Sequence, residues 1–222
     1  MSRHLRNGIE NLKTRIIDMA GIIEDRVFQA TLSVIGRDTY KAEAVMNGDR
    51  EIDQMEVDFE EECLKLLALH QPVSIDLRFI VAMLKINNDL ERIGDLAVNI
   101  AERGAFLATQ EKIGIPFELE KMVYLAEEML TGSIDALVSM DVPHARQIRS
   151  MDDKMDAMNR DMYVKVKEMI LQQPQHINAL LHAMSVGRHL ERIADLATNI
   201  AEDVIYMISA EIVRHTPEIF EE

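Results

Sequence analysis

Tryptophan is absent from the 222 residues, aromatic side chains make up 5%, and there are only 5 prolines and 9 glycines. With so few turn-forming residues the chain has few turns, so its elements are long. Its apolar content is mostly Leu, Ile, Ala and Met, which suits helix packed on helix. The single cysteine, Cys63, excludes an internal disulfide. It lies in an apolar helical run and reads as a buried core residue. Basic residues are also scarce: 24 Lys and Arg stand against 39 Asp and Glu, a net charge of −15. A nucleic-acid surface needs cationic side chains to displace counterions from phosphates, so DNA and RNA are excluded as expected partners. Docking on an anionic membrane surface is disfavoured for the same reason. Cations and basic protein surfaces are the favoured partners. No apolar run approaches the roughly 20 residues of a membrane-spanning helix, and Met1–Asn7 is not followed by an apolar signal segment. The expectation is a soluble, cytoplasmic protein without direct membrane insertion.

What is present is helical periodicity almost from end to end. Ile9, Leu12, Ile16, Met19, Ile23, Val27, Ala30 and Val34 step by three or four. Val45, Ile52, Met55, Phe59, Cys63 and Leu66 do the same with one step missing, and Pro72 stops that second helix. Ser74 is placed to cap a third, whose stripe runs through Ile80, Met83, Ile86, Leu90, Ile93, Ala97 and Ile100. A linker around Gly114-Ile115-Pro116 separates residues 1–112 from residues 113–222, where the plan repeats. The fifth helix carries Ile148, Met151, Met155, Met158, Met162, Val166 and Met169, and Pro174 ends it. Its methionines read as core filler. Long helices joined by short turns predict an all-α chain of two tandem antiparallel three-helix bundles.

The strongest single feature is an internal copy. Residues 90–102, Leu-Glu-Arg-Ile-Gly-Asp-Leu-Ala-Val-Asn-Ile-Ala-Glu, return at 190–202 with 11 of 13 positions identical. Residues four apart share a helix face, so Glu91, Asp95 and Asn99 form a row with Glu102, beside the apolar stripe. Glu191, Asp195, Asn199 and Glu202 repeat it. The second helix of each half offers a facing pair, Asp49 with Asp53 and Asp152 with Asp156. Each pair lies about 20 residues before a Pro turn (Pro72, Pro174), and each Glu-x-x-x-Asp about 20 after it. Equal arms bring four carboxylates to one height in each half. Like charges at i, i+4 cost roughly 0.2–0.5 kcal/mol per pair, and crowding near a core adds to that and favours protonation. A multivalent cation relieves both. The ligand set holds oxygen only, with no His, which suits Mg, Mn, Ca or ferric iron better than Zn or Cu. The competing reading is a solvated face in which Arg50 reaches Asp53, Arg92 reaches Asp89 or Asp95, and Arg192 reaches Asp195.

The duplicated Leu-Glu-Arg-Ile-Gly-Asp tract, together with Gln71-Pro72-Val73-Ser74-Ile75-Asp76-Leu77-Arg78, resembles the PhoU family of phosphate-transport regulators over nearly the whole length. The resemblance implies two three-helix bundles, often as a homodimer. It implies metal clusters, associated with iron or zinc, on Asp49, Asp53, Glu91 and Asp95 in the first repeat and on Asp152, Asp156, Glu191 and Asp195 in the second. It further implies a non-enzymatic negative regulator of phosphate uptake and phosphate-starvation signalling. Such a protein links the ATPase subunit of a phosphate ABC transporter to a sensor histidine kinase. Two departures stand out: Ala194 replaces the tract's glycine, and the Asp-Leu-Arg segment has no second copy. A carboxylate-bridged multi-metal hydrolase or oxidase is the alternative, although the sequence has no phosphate-cradling glycine loop and no nucleophile with a nearby base.

Overall fold

In the computed structural model, residues 3–213 are described, apart from the side chain of Asp49. The first repeat comprises α1 (Arg3–Gly36), α2 (Thr39–Asn47), α3 (Asp49–His70) and α4 (Ser74–Thr109). The second comprises α5 (Leu119–Ser139), α6 (Val142–Arg149), α7 (Asp152–Gln172) and α8 (Ile177–Ser209). Among the described residues there is no strand. The middle rod of each three-rod bundle is thus two helices end to end, where the periodicity suggested one. In the first repeat the joint at Gly48 falls in the gap between Val45 and Ile52, where the apolar stripe misses its step. In the second it falls at Ser150–Met151. Asp38 and Asp141 cap the short helices by accepting hydrogen bonds from the backbone N–H groups of Lys41 and His144. Ser74 is not the cap proposed for it. It is the first residue of α4, at φ 53°, and no side chain caps that end.

The joints have a direct consequence for the acidic pairs. Asp49 and Asp152 become the first residues of α3 and α7. Carboxylates in the first turn of a helix are favoured by its unsatisfied N–H groups and macrodipole, typically by 0.3–1 kcal/mol.

The apolar stripes form one continuous core. Phe59, Leu12, Ile16, Met83, Leu90 and Ile93 are fully enclosed in the first repeat, and Met129, Met155, Met162, Leu190 and Ile193 in the second. The methionines of α7 are therefore core filler, as their spacing indicates. Cys63 is also enclosed, and burial pushes its thiol up to about 12, so it is inert at neutral pH. The departure at Ala194 has a packing reason. A Cβ at Gly94 would stand 3.1 Å from Ile52 Cδ1. The second repeat has Met155 at the position of Ile52, and a flexible methionine leaves room for the extra methyl.

The repeats join through α4 and α8, which run antiparallel, with α1 beside α5. The seam is reciprocal. Thr31 donates to Glu127 at 2.7 Å, and Thr131 donates to Glu24 at 2.7 Å. Lys85 Nζ meets Asp203 at 3.1 Å at one end of the α4–α8 seam, and Phe106 stacks on His182 at 3.7 Å at the other. This arrangement sets the two α3–α4 and α7–α8 grooves, and hence the acidic rows, in equivalent positions on the two repeats. No helix among the described residues is long and apolar enough to cross a membrane.

Candidate metal centre

The second repeat brings its carboxylates together. Asp156 from α7 and Glu191 and Asp195 from α8 each offer an oxygen, and the three oxygens lie within 4.8 Å of one another. The α8 residues are one turn apart on the helix edge beside Leu190 and Ile193, and that buried stripe fixes which way the edge faces. Asp152, at the first residue of α7, is not one of the three but lies near enough to act on them. It accepts a hydrogen bond from Thr198 Oγ1 at 3.4 Å, and its charge acts on both Glu191 and Asp195.

The electrostatics are those of a crowded anionic site. Burial, then Glu191, Asp152 and Asp156, raise the Asp195 carboxyl to about 6, against a smaller opposing pull from Arg192. As a residue Asp195 is open to solvent on one side; protein and like charge crowd its carboxyl on the other. Burial and then Asp156 raise Glu191 and Asp152 as well. Two side chains not singled out in the sequence contribute. Asn159 Nδ2 donates to Glu191 Oε1 at 3.1 Å, and Arg160 reaches Asp156 at 3.2 Å from the solvent side. Asn159 lies seven residues after Asp152 on the same helix face, the signal that would have found it.

The alternative of a face neutralised by arginine is met only in part. Arg92 pairs with Asp89 at 3.7 Å, and Arg160 pairs with Asp156. The remaining positive charges act on the second-repeat group from a distance. Glu202 leaves the row altogether: it is held by Arg149 at 3.2 Å, both side chains being about nine-tenths buried.

In the first repeat, the Asp49 side chain lies outside the described residues, and among those described Asp53, Glu91 and Asp95 do not form a comparable three-oxygen group. Glu91 is half-buried and Asp95 exposed, as Glu191 and Asp195 are, whereas Asp53 is exposed and its counterpart Asp156 is half-buried. Over residues 91–100 and 191–200 the pattern of burial is identical position by position. The α4 face is thus built like the α8 face. Glu56, also absent from the sequence-based ligand set, lies on the Asp53 face of α3, and burial followed by Glu60 and Asp53 raises its carboxyl.

The residues present fit a hard, multivalent cation: every candidate donor is an oxygen, and four carboxylates share a partly dewatered groove. One pH dependence follows. Asp195 ionises at higher pH in the folded protein than in the unfolded chain, so its ionisation opposes folding, and that opposition grows as pH rises through about 6. For protein stripped with chelator, Asp195→Asn is therefore expected to be more stable than the parent at pH 7.5. The advantage shrinks as pH falls through 6 toward 4. Urea midpoints measured across that range check it; a difference independent of pH would count against the crowding.

Several known proteins match the chain over almost all of it. The family model described as "PhoU domain" matches residues 16–104 and again 119–204. A phosphate-specific transport system accessory protein PhoU homolog from Aquifex aeolicus is 36% identical over 207 residues, 93% of this chain and 94% of that protein. A protein of the same name from Caulobacter vibrioides is 33% identical over 204 residues, 91% and 89% of the two chains. The crystal structure of PhoU from Pseudomonas aeruginosa superposes with a TM-score of 0.90 at 31% identity, covering 93% of this chain and 99% of that one. The phosphate transport system regulatory protein PhoU from Streptococcus pneumoniae gives 0.83 at 27% identity, covering 94% and 99%.

Proposed function

Because the chain belongs to the PhoU family, we propose that it is a non-enzymatic negative regulator of phosphate uptake and phosphate-starvation signalling. It acts as a cation-holding adaptor between the ATPase subunit of a phosphate ABC transporter and a sensor histidine kinase. The relatives' names, which assign them to the phosphate-specific transport system as accessory proteins, support the regulatory half of this reading. The observation that carries the cation half is the convergence of Asp156, Glu191 and Asp195 from two helices to within 4.8 Å. Asp152 completes that site, and Asp49, Asp53, Glu91 and Asp95 form its counterpart in the first repeat. When bound, the cation supplies positive charge that holds α7 against α8, and α3 against α4, in one arrangement. The −15 net charge suits docking on basic protein surfaces. The adaptor works in the cytoplasm as a homodimer, the assembly implied by the family resemblance.

Two measurements test the adaptor role. Purified protein is expected to retain the transporter's ATPase subunit and the kinase in a pull-down, and deletion of the gene is expected to leave phosphate-starvation genes expressed in phosphate-rich medium. Normal repression after deletion would refute the regulatory reading.

A further inference from the structure

Toward the Pro72 and Pro174 turns, away from the carboxylates, the outer helix faces of both repeats become apolar. Steps of three and four residues carry α4 through Leu84, Val81 and Leu77, and α8 through Met184, Leu181 and Ile177. On the neighbouring rods stand Leu64 and Leu67 of α3, and Tyr163, Ile170 and Leu171 of α7. Leu64, Leu77, Tyr163, Leu171, Ile177 and Leu181 are exposed, and the others are half-buried. In the second repeat this surface encloses an open cavity of about 350 Å3 between α7 and α8, on whose wall Lys167 is the one charged residue. An apolar patch rimmed by charge marks a contact with another molecule.

The two rims differ in sign. Aligning Asp49 with Asp152 sets residues 56–65 over residues 159–168. The first stretch holds five carboxylates (Glu56, Asp58, Glu60, Glu61 and Glu62) against one lysine; the second holds three cations (Arg160, Lys165 and Lys167) against two carboxylates. Leu64 stands where the second repeat has Lys167, and aligning Glu91 with Glu191 puts Asn88 where it has Arg188. At the tips Asp76 offsets Arg78, and His176 and Asn178 take their places. The second-repeat face is thus locally cationic on a chain of net charge −15. Glu60, Glu61 and Lys167 are exposed and form no ion pair among the described residues.

We infer that these faces bind each other across two copies of the chain: the apolar, acid-rimmed α3–α4 end of one copy packs on the apolar, basic-rimmed α7–α8 end of the other. This rests on the homodimer reading given above and deepens it by naming the surfaces. The occupant follows from charge. Two second-repeat faces would set Lys167 and Arg188 against their own kind, and two first-repeat faces would do the same with Glu60 and Glu61; only the crossed pairing brings opposite signs together. Complementary charge selects the partner and the register, and like-charge contacts reject the alternatives. The energy comes from the apolar floors. Two antiparallel helix pairs, each with an exposed apolar face, bury those faces by forming a four-helix bundle, with Leu64 of one copy opposite the cavity beside Leu181 and Met184 of the other. Each copy carries one face of each sign. A two-fold axis then makes the junction twice, the self-complementary arrangement of an isologous dimer.

The test is sedimentation equilibrium of the full chain, treated with chelator, over a concentration series. The parent is expected to be a dimer. Lys167→Glu with Arg188→Glu gives a copy with two acidic faces, and Glu60→Lys with Glu61→Lys gives one with two basic faces. Each is expected to raise the dissociation constant at least roughly tenfold. Mixing the two variants is expected to restore the dimer as a heterodimer, which a folding defect in either variant could not produce. A dimer that both charge reversals leave intact, or two weakened variants that do not associate when mixed, would overturn the crossed pairing and leave the homodimer reading standing. A monomeric parent would overturn both. In that case, binding of the parent to anionic phospholipid vesicles, lost in Lys167→Glu, would give the α7–α8 face to a membrane surface. Loss of the ATPase subunit or the kinase from the Lys167→Glu pull-down would give it to a partner protein instead.

Discussion

Adding a multivalent cation to chelator-stripped protein is expected to raise its melting temperature by about 5–10 °C at a hundredfold excess over the dissociation constant. The magnitude is a linkage result: a ligand that binds only the folded state stabilises it by about 2.7 kcal/mol at that concentration. For a chain of this size each kcal/mol moves the midpoint by roughly 2–4 °C. The sign comes from the site. Asp152, Asp156, Glu191 and Asp195 repel one another in a groove that also dewaters them; unfolding removes the repulsion and binding a cation removes it without unfolding. Asp195→Ala should cut the shift contributed by the second repeat, and monovalent salt at the same ionic strength should not reproduce it. A midpoint indifferent to divalent and trivalent cations would place these carboxylates among ordinary surface charges.

The helical architecture was legible because its signal is redundant. Each rod repeats its apolar step many times, and the whole plan occurs twice. The facing of acid on acid was legible too, since it needs only i, i+4 spacing and equal distances from Pro174. What counting missed has local causes. The joints at Gly48 and Ser150 break the rods without a proline, and only the missing step between Val45 and Ile52 marks the first of them. Asn159 and Glu56 lie a full heptad beyond the first aspartate of their rows, past the i, i+4 spacing that defines the acidic pairs. Glu202 continues the acidic row by spacing, yet it belongs to a different neighbourhood, because α6 brings Arg149 to it across 53 positions of sequence.

Arg149 is the basis of the second large effect. Its Nε meets Glu202 at 3.2 Å in a nearly buried pair, and its Nη2 donates to the Val213 carbonyl at 2.9 Å. Ala210, at φ 59°, turns the chain at the end of α8, and Val213 is buried. Arg146 adds a bridge to Glu211 at 2.7 Å. One guanidinium thus ties α6, α8 and the segment after α8 together, three residues before Asp152. Replacing one partner of a buried ion pair typically costs 3–5 kcal/mol, because the other charge keeps its desolvation penalty without its compensation. Arg149→Ala is expected to lower stability by about that amount in urea unfolding. Adding Glu202→Gln to it should return part of the loss, since the stranded charge is then gone. A cost below about 1 kcal/mol, the range of exposed pairs, would mean that water reaches this pair freely.

The account depends on positive charge being held where two helices of each repeat set their carboxylates together, and elemental analysis of protein purified without chelator tests that most directly. Multivalent metal is expected in stoichiometric amount in the parent chain, reduced in Asp95→Ala and in Asp195→Ala, and lost when the two changes are combined. A metal-free parent, or a combined variant that retains the parent's full load, would contradict it.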